Sequence, residues 1–364
     1  MQKHVYKLGL MLLITFHLLN ILNWLYSNQW PEGKDWFMHL PNTYTMIDNL
    51  SQEFTFDNLM FVDVSYPPLY YWTAILLSKL FFNNHQYIFL TPFLFLVVLI
   101  LSIYGIGKQL KNKDVGFLSA IFCSFFYIIY KASIQYNLIL AAPAMTALII
   151  YLLLKCEGFK NINYSILLGV SLGLGFLTRQ FIILFVAGPI LVTIWHSFKK
   201  NSNISKYLYR RKLINLIIFI VIACIIMALF SMRLSTIRNV IMRMTFVEGQ
   251  IGGQSIFSMP HLTYYIRVLP QQIGFLNTSL FIISFCLLLY SNGYKKQILL
   301  SWIAVPFFCL TFVYLKFSEY AVSYLPAIAL IIASAIDRIK REDYKKGIAV
   351  LFVIIGMCFY LKNF

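Results

Sequence analysis

The stretch Leu69 to Phe82 reads L-Y-Y-W-T-A-I-L-L-S-K-L-F-F, and how it is placed decides the threading of the whole chain. As a helix it reaches only about 21 Å at 1.5 Å per residue. That is short of the roughly 30 Å of hydrocarbon in an ordinary bilayer. The basic residues give an independent test, because cytoplasmic loops of membrane proteins are enriched in Lys and Arg. If the stretch does not cross, one side collects 20 of the 30 basic residues: Lys3, Lys7, Lys108, Lys111, Lys113, Lys155, Lys160, Lys199, Lys200, Lys206, Arg210, Arg211, Lys212, Lys295, Lys296, Arg338, Lys340, Arg341, Lys345 and Lys346. If it crosses, with the N-terminus still inside, every later loop inverts and most of those charges fall outside. Leu69–Phe82 therefore reads as an interfacial helix, with Tyr70, Tyr71 and Trp72 at headgroup level and Lys79 snorkelling.

Composition sets the same frame. Of 364 residues, 60% are hydrophobic and 12% are charged, and the mean hydropathy is +0.75. A soluble domain carries about 25% charged residues, so most of this surface must face lipid. Disorder, coiled coil and disulfide scaffold are excluded on the same grounds. The net charge of +17 comes from short basic clusters between apolar runs. There is no RNP, zinc-knuckle or helix-turn-helix signature, so nucleic acid is not an expected partner. The six cysteines form no CxxC pair and read as small buried hydrophobes.

Eleven spans are expected: Tyr6–Tyr26, Tyr87–Gly107, Val115–Tyr130, Leu138–Leu154, Tyr164–Thr178, Phe181–Phe198, Leu213–Ser231, Ile273–Tyr290, Ile298–Leu315, Tyr320–Ile336 and Gly347–Leu361. The first lacks a small-residue cleavage site and reads as a retained helix rather than a signal peptide. The expected fold is an all-α polytopic membrane protein, a single transmembrane domain over 1–364 with its N-terminus cytoplasmic. The basic interior loops fit a bacterial inner membrane.

This threading exports two long loops. The first, 27–86, holds Glu32, Asp35, Asp48, Glu53, Asp57 and Asp63. The second, 232–272, holds Arg233, Arg238, Arg243 and Arg267, with only Glu248 opposing. The first loop contains K-D-W-F-M-H, Lys34 to His39. In a helical turn Asp35 and His39 share a face, and Pro41 disfavours a helical Leu40. A carboxylate and an imidazole just above the membrane could serve general-base chemistry on a hydroxyl; the bland alternative is a set of solvated acids. The loop ends S-Y-P-P-L-Y-Y-W, Ser65 to Trp72, where Pro67-Pro68 sets the angle at which the aromatic stretch enters the interface.

An acidic residue soon after the first span, followed by Y-P-P-L-Y-Y-W, resembles the GT-C superfamily of membrane glycosyltransferases. More narrowly it is similar to the bacterial branch of protein O-mannosyltransferases and the lipid A aminoarabinose transferase. K-Q-L-K-N-K-D-V-G-F-L-S-A-I, Lys108 to Ile121, looks like that family's basic turn leading into an Ala-rich span. L-L-G-V-S-L-G-L-G-F-L-T-R-Q, Leu167 to Gln180, looks like its Gly-rich helix ending in a basic residue. The resemblance covers residues 1–198, with 199–364 as variable C-terminal helices.

The resemblance implies a GT-C fold with interfacial helices in the first outer loop. It also implies inverting transfer of a sugar from a polyprenyl-phosphate donor to a glycan, lipid or protein acceptor at the outer face. Asp35 matches the first-loop acid that orients or deprotonates the acceptor, and Arg179 the basic residue that holds the leaving phosphate. His39, Tyr66, Asn137, Arg233, Arg238, Arg243 and Arg267 are the further candidates for donor or acceptor binding, with membrane lipid headgroups as the competing partner of the late arginines. Two departures stand out. Asn137 occupies the place of a second acid, which weighs against a divalent metal without excluding one; no cofactor is expected to be required, and a degenerate, non-catalytic member stays open. Ser65-Tyr66 replaces a Glu-Lys pair, so the sugar does not carry over from the aminoarabinose transferase.

The remaining readings are simpler. Arg233, Arg238 and Arg243 recur every five residues and do not share a helical face. Gly249–Gln254 gives the second loop a flexible centre. His85, His196 and His261 lack zinc-ligand spacing, His17 reads as a polar residue between helices, and Glu319 reads as an ion pair with nearby Lys316. Two competing functions stay open, a polysaccharide polymerase or ligase and a lipid-linked glycan flippase. A flippase would be expected to carry charges in mid-span, and few are present.

Overall fold

The structure, a computed structural model, describes residues 2–27, 36–60, 66–81, 84–199, 205–231, 257–313 and 316–339, with isolated positions between 341 and 354. Every regular element among them is helical. This is what a lipid environment requires, since a helix satisfies its backbone hydrogen bonds within one segment. The chain is a multi-pass membrane protein.

The first span is α1 (Gln2–Ser27), and the following loop folds into α2 (Trp36–Gln52), α3 (Phe56–Met60) and α4 (Leu69–Leu80). A 3₁₀ turn, His85–Leu90, leads into α5 (Thr91–Leu110), which starts on Pro92 where a missing N–H costs nothing. Next come α6 (Lys113–Ser124), α7 (Tyr127–Ile134), α8 (Ala141–Lys155), α9 (Ile162–Phe176), α10 (Ile182–Phe198) and α11 (Lys206–Ser231). After the second loop follow α12 (Met259–Leu262), α13 (Tyr264–Ile273), α14 (Phe275–Leu289), α15 (Tyr294–Thr311), a 3₁₀ turn at Ser318–Tyr324 and α16 (Leu325–Ile336). Among the described residues four helices are long and apolar enough to span a membrane, or six if each sharply bent pair is one span. The expected eleven included α8, α9 and α10, of 15 to 17 residues, which reach only about 22–25 Å. The expected span Gly347–Leu361 lies largely outside the described residues.

One expected span is bent, and a second is preceded by a sharp corner. Val115–Tyr130 breaks into α6 and α7 at 64°, where Phe126 takes an extended backbone and buries its ring. Ahead of the expected Ile273–Tyr290 span, α13 meets α14 at 119°. Gly274 makes that corner at φ +86°, a conformation that a side chain disfavours.

Tight packing uses glycine at two places. A Cβ on Gly107 would lie 2.5 Å from Gly116 Cα, so the α5–α6 hairpin closes only with glycine on both sides. A Cβ on Gly173 would lie 2.5 Å from Ile226 Cβ, which brings α9 against α11.

The end of the bundle rich in lysine is fastened by charge. Asp337 accepts from Lys111 Nζ at 2.7 Å, from Asn112 Nδ2 at 3.1 Å, and lies 3.6 Å from Lys345 Nζ. Asn112 also caps α6, accepting from the Val115 N–H at 2.8 Å. Tyr6 O–H donates to Asp114, tying α1 to the same turn.

Candidate active site at the opposite end

Tyr70 and Tyr71, expected at headgroup level, are both fully buried among protein side chains. A tyrosine ring offers a large apolar area with one polar end, and here both parts are used inside the protein. Tyr70 stacks on Phe95, with ring centroids 5.8 Å apart, and packs on Tyr136 at 5.2 Å. Tyr71 Oη and His39 Nδ1 share a hydrogen bond of 2.9 Å. The Tyr66 ring stands edge-on to His39 at 4.8 Å. Trp72 is half-buried and its Nε1–H donates to Leu59 O at 2.7 Å.

One turn along α2, Thr43 Oγ1 donates to His39 O at 2.8 Å and shares a 2.6 Å hydrogen bond with Tyr136 Oη. With its own proton given to the carbonyl, Thr43 accepts from Tyr136. Thus α2 is fastened at two successive turns, to α4 and to the segment after α7. The helix continues through Pro41, where sequence reasoning expected an end or a kink. These buried side-chain bonds hold it there, although Pro41 lacks an N–H.

Asn137 is buried and its amide is spent locally. Its Nδ2 donates to Gln135 Oε1 at 3.1 Å and its Oδ1 accepts from the Ile139 N–H at 3.0 Å, which shapes the turn before α8. The Leu69 N–H donates to Leu177 O at 2.9 Å. This bond docks the Pro67-Pro68 turn on the turn that carries Arg179. Arg179 is half-buried, with its guanidinium 5.5 Å from the Tyr320 ring centroid, and Phe181 packs on the same ring at 5.0 Å. The structure therefore brings His39 and Tyr66 together, places Asn137 beside Tyr136, and joins this group to Arg179 through one backbone bond.

Arg267 stands elsewhere, exposed on α13 and donating to Pro260 O. Asp35, Arg233, Arg238, Arg243 and the Gly249–Gln254 segment lie outside the described residues. Among those described, no three His, Cys, Asp or Glu side chains converge on a metal position.

The sequence reading missed Lys316 as more than a pairing partner. It is buried, and its Nζ donates to Leu310 O and to Thr311 O, the latter at 2.7 Å. The expected partner Glu319 is replaced by the carbonyl end of α15, where the helix dipole favours a cation. Lys316 Nζ also lies 5.1 Å from the Tyr265 ring centroid. Burial pushes Lys316 down to about 8. Burial, and then the nearby Lys316 charge, lower His261 as well. His261 is buried, and its Nε2 has no hydrogen-bond partner among the described residues. A lysine in an expected outer loop, against the charge bias of the rest, was the available signal.

An all-helical membrane bundle whose first loop forms short helices docked on the ends of later spans defines the GT-C class of fold. Its likeness to solved structures is to members of that class. ArnT from Cupriavidus metallidurans in the apo state superposes with a TM-score of 0.66 at 15% identity, over 93% of this chain and 62% of that one. The same protein bound to undecaprenyl phosphate gives 0.66 at 14% identity, over 96% and 64%. The oligosaccharyltransferase AglB from Archaeoglobus fulgidus, in complex with an inhibitory peptide and a dolichol-phosphate, gives 0.57 at 12% identity, over 98% and 55%. The chain thus spans less than two thirds of each of these proteins. Residues 65–243 match the family described as dolichyl-phosphate-mannose-protein mannosyltransferase, and over that part the chain is similar to it. No curated protein matches it in sequence.

Proposed function

We propose that this protein is an inverting glycosyltransferase that takes a sugar from a polyprenyl-phosphate donor and passes it to a glycan, lipid or protein acceptor at the outer face of a bacterial inner membrane. The observation that carries this reading is the docking of the first-loop helices on the Arg179 turn through Leu69 and Leu177. It supports reading as one site two motifs that are about a hundred residues apart in sequence. The proteins of similar fold are glycosyltransferases, and ArnT has been seen with undecaprenyl phosphate.

In this mechanism Asp35, immediately before α2, takes the proton of the acceptor hydroxyl. The freed oxygen attacks the anomeric carbon from the face opposite the phosphate, and the carbon–oxygen bond to the phosphate breaks, which inverts the centre. The departing phosphate needs fixed positive charge rather than a proton, and Arg179 offers permanent charge with paired donors. His39 and Tyr71 hold α2 and touch no reacting atom. Asn137, an amide occupied within its own turn, supplies neither base nor strong metal ligand, so the reaction is proposed to need no metal.

The test is transfer by the purified protein in lipid nanodiscs, given a radiolabelled polyprenyl-phosphate sugar and envelope glycan extract as acceptor. Wild type should release polyprenyl phosphate and label the acceptor with inverted linkage. Normal turnover by Asp35→Asn would remove the base assignment.

A further inference from the structure

The cation proposed to take the leaving phosphate has no hydrogen bond to fix it. Among the described residues the Arg179 guanidinium forms neither a hydrogen bond nor an ion pair. Its contact is with the Tyr320 ring, 5.5 Å from the centroid, within the ~6 Å over which a ring face attracts a cation. The N–H donors are thereby left for an anion. A long side chain held in this way is aimed by the surface it rests on, so the position of Tyr320 decides where the charge points.

Tyr320 lies in the 3₁₀ turn Ser318–Tyr324, a conformation whose own hydrogen bonds are poorly aligned. The turn is pinned from outside at three points. Ahead of it, Lys316 Nζ donates to Leu310 O and Thr311 O at the end of α15. Within it, Ser318 O accepts from Gln272 Nε2 of α13. Near its far end, Ser323 O accepts at 3.0 Å from the indole N–H of Trp302, in the middle of α15. Tyr320 stands between these pins, with Phe317 at 5.2 Å and Phe181 at 5.0 Å against its ring. Two of the pins are costly. Lys316 carries a charge into the protein with no carboxylate paired to it among the described residues, and burying a charge is unfavourable. The carbonyls at the end of α15 need no lysine, since water answers such groups at many helix ends. Gln272 is also buried, and its Oε1 has no hydrogen-bond partner among the described residues. Both residues bear that cost where their bonds fix the approach to Tyr320.

We infer that Tyr320 is a positioning residue for Arg179, and that Lys316 and Gln272 act through it: their bonds fix the turn, and the ring aims the guanidinium. The inference rests on the reading of Arg179 as the cation that receives the departing phosphate. The role of all three is positional, and Arg179 alone is assigned to the phosphate. Charge on the phosphate oxygens develops as the bond to the sugar breaks, so a badly aimed cation costs most in the transition state. Loss of the ring should therefore lower kcat and leave the KM for the donor nearly unchanged. The contact uses the ring face rather than the hydroxyl, so phenylalanine should replace Tyr320 and leucine should not.

The experiment is steady-state kinetics of the full chain in nanodiscs, in the transfer assay above, with the rate at which phenylglyoxal labels Arg179 read in parallel by peptide mass spectrometry. Tyr320→Leu should lower kcat about tenfold and speed the labelling of Arg179, while Tyr320→Phe should match wild type in both. Lys316→Met and Gln272→Met should each lower kcat by a smaller factor. Neither should add a loss on the Tyr320→Leu background, because residues that act through one another are not additive. Gln272→Met keeps the relay testable if Lys316→Met fails to fold. Additive losses would make Lys316 and Gln272 ordinary packing contacts and overturn the relay. Wild-type kcat and labelling in Tyr320→Leu would overturn the positioning role and leave the donor reading standing. Faster labelling in Tyr320→Leu, from a wild type that transfers no sugar, would overturn the donor reading and uphold the hold of the ring on Arg179.

Discussion

The two ends of the bundle solve the same packing problem with different chemistry. At the lysine-rich end, Lys111 and Lys345 converge on the carboxylate of Asp337 and the Tyr6 hydroxyl donates to Asp114, while Lys212, Lys295 and Lys296 rest on backbone carbonyls. At the other end, hydroxyls and rings do the fastening, through His39–Tyr71 and Thr43–Tyr136. The two cations there, Arg179 and Lys316, rest on tyrosine rings and helix carbonyls, with no carboxylate paired to either among the described residues. A cation already paired with an acid is spent on structure. One held by a ring or by carbonyl dipoles still has charge to offer an incoming anion. On this contrast, changes at the first end should cost stability, and changes at the second should cost chemistry.

The largest effect should come from Asp35→Asn. Loss of a general base should lower turnover roughly 10²–10⁴-fold, with the same yield and melting temperature as wild type. Arg179→Ala should lower turnover about 10²–10³-fold, and Arg179→Lys should recover part of it if charge alone suffices; equal rates for Ala and wild type would erase the contrast between the ends. Next in size is Tyr71→Phe, which leaves a polar group of buried His39 without its partner, a change worth ~1–3 kcal/mol. Its expected signature is about a tenfold lower kcat with KM for the donor nearly unchanged, because α2 is loosened while the phosphate site is intact.

The charge of Lys316 should also depend on pH. Burial holds Lys316 near 8, so the ammonium is present below that value and is lost as pH rises through it. The other titratable groups around it are His261, neutral over this range because its proton affinity is lowered, Glu319, and the tyrosines Tyr264, Tyr265, Tyr320 and Tyr324. The smallest effect on chemistry belongs to Asp337→Asn. It should lower the melting temperature by a few degrees, since partly exposed ion pairs contribute about 1 kcal/mol or less, and leave turnover per folded molecule unchanged.

Much of the fold could be read from the chain. The apolar run lengths located α1, α5, α10 and α11 to within a few residues, except that α11 starts earlier, at Lys206, because its basic residues continue the helix beyond the apolar run. What periodicity could not supply was the corners. Phe126 breaks α6 from α7 although both sides are apolar, and the Gly274 turn depends on a backbone angle rather than on a pattern of side chains. The site was legible only in parts. Y-P-P-L-Y-Y-W was found as a motif, but its tyrosines were assigned to the headgroups. Aromatic residues read alike whether they face lipid or a buried histidine, and only their partners from α2, α5 and the 135–140 turn distinguish the two. Lys316 was hidden for a related reason: its partners are backbone carbonyls, which have no sequence signature.

The central claim is that this protein consumes a lipid-linked monosaccharide. The most direct measurement is mass spectrometry of polyprenyl-linked sugars and surface glycans from cells lacking the protein, beside their parent. Accumulation of a polyprenyl-phosphate monosaccharide, with one sugar missing from an envelope glycan, is the predicted result. Accumulation of complete repeat units on polyprenyl diphosphate would contradict it, pointing to a polymerase, ligase or flippase and leaving Asp35 without a role.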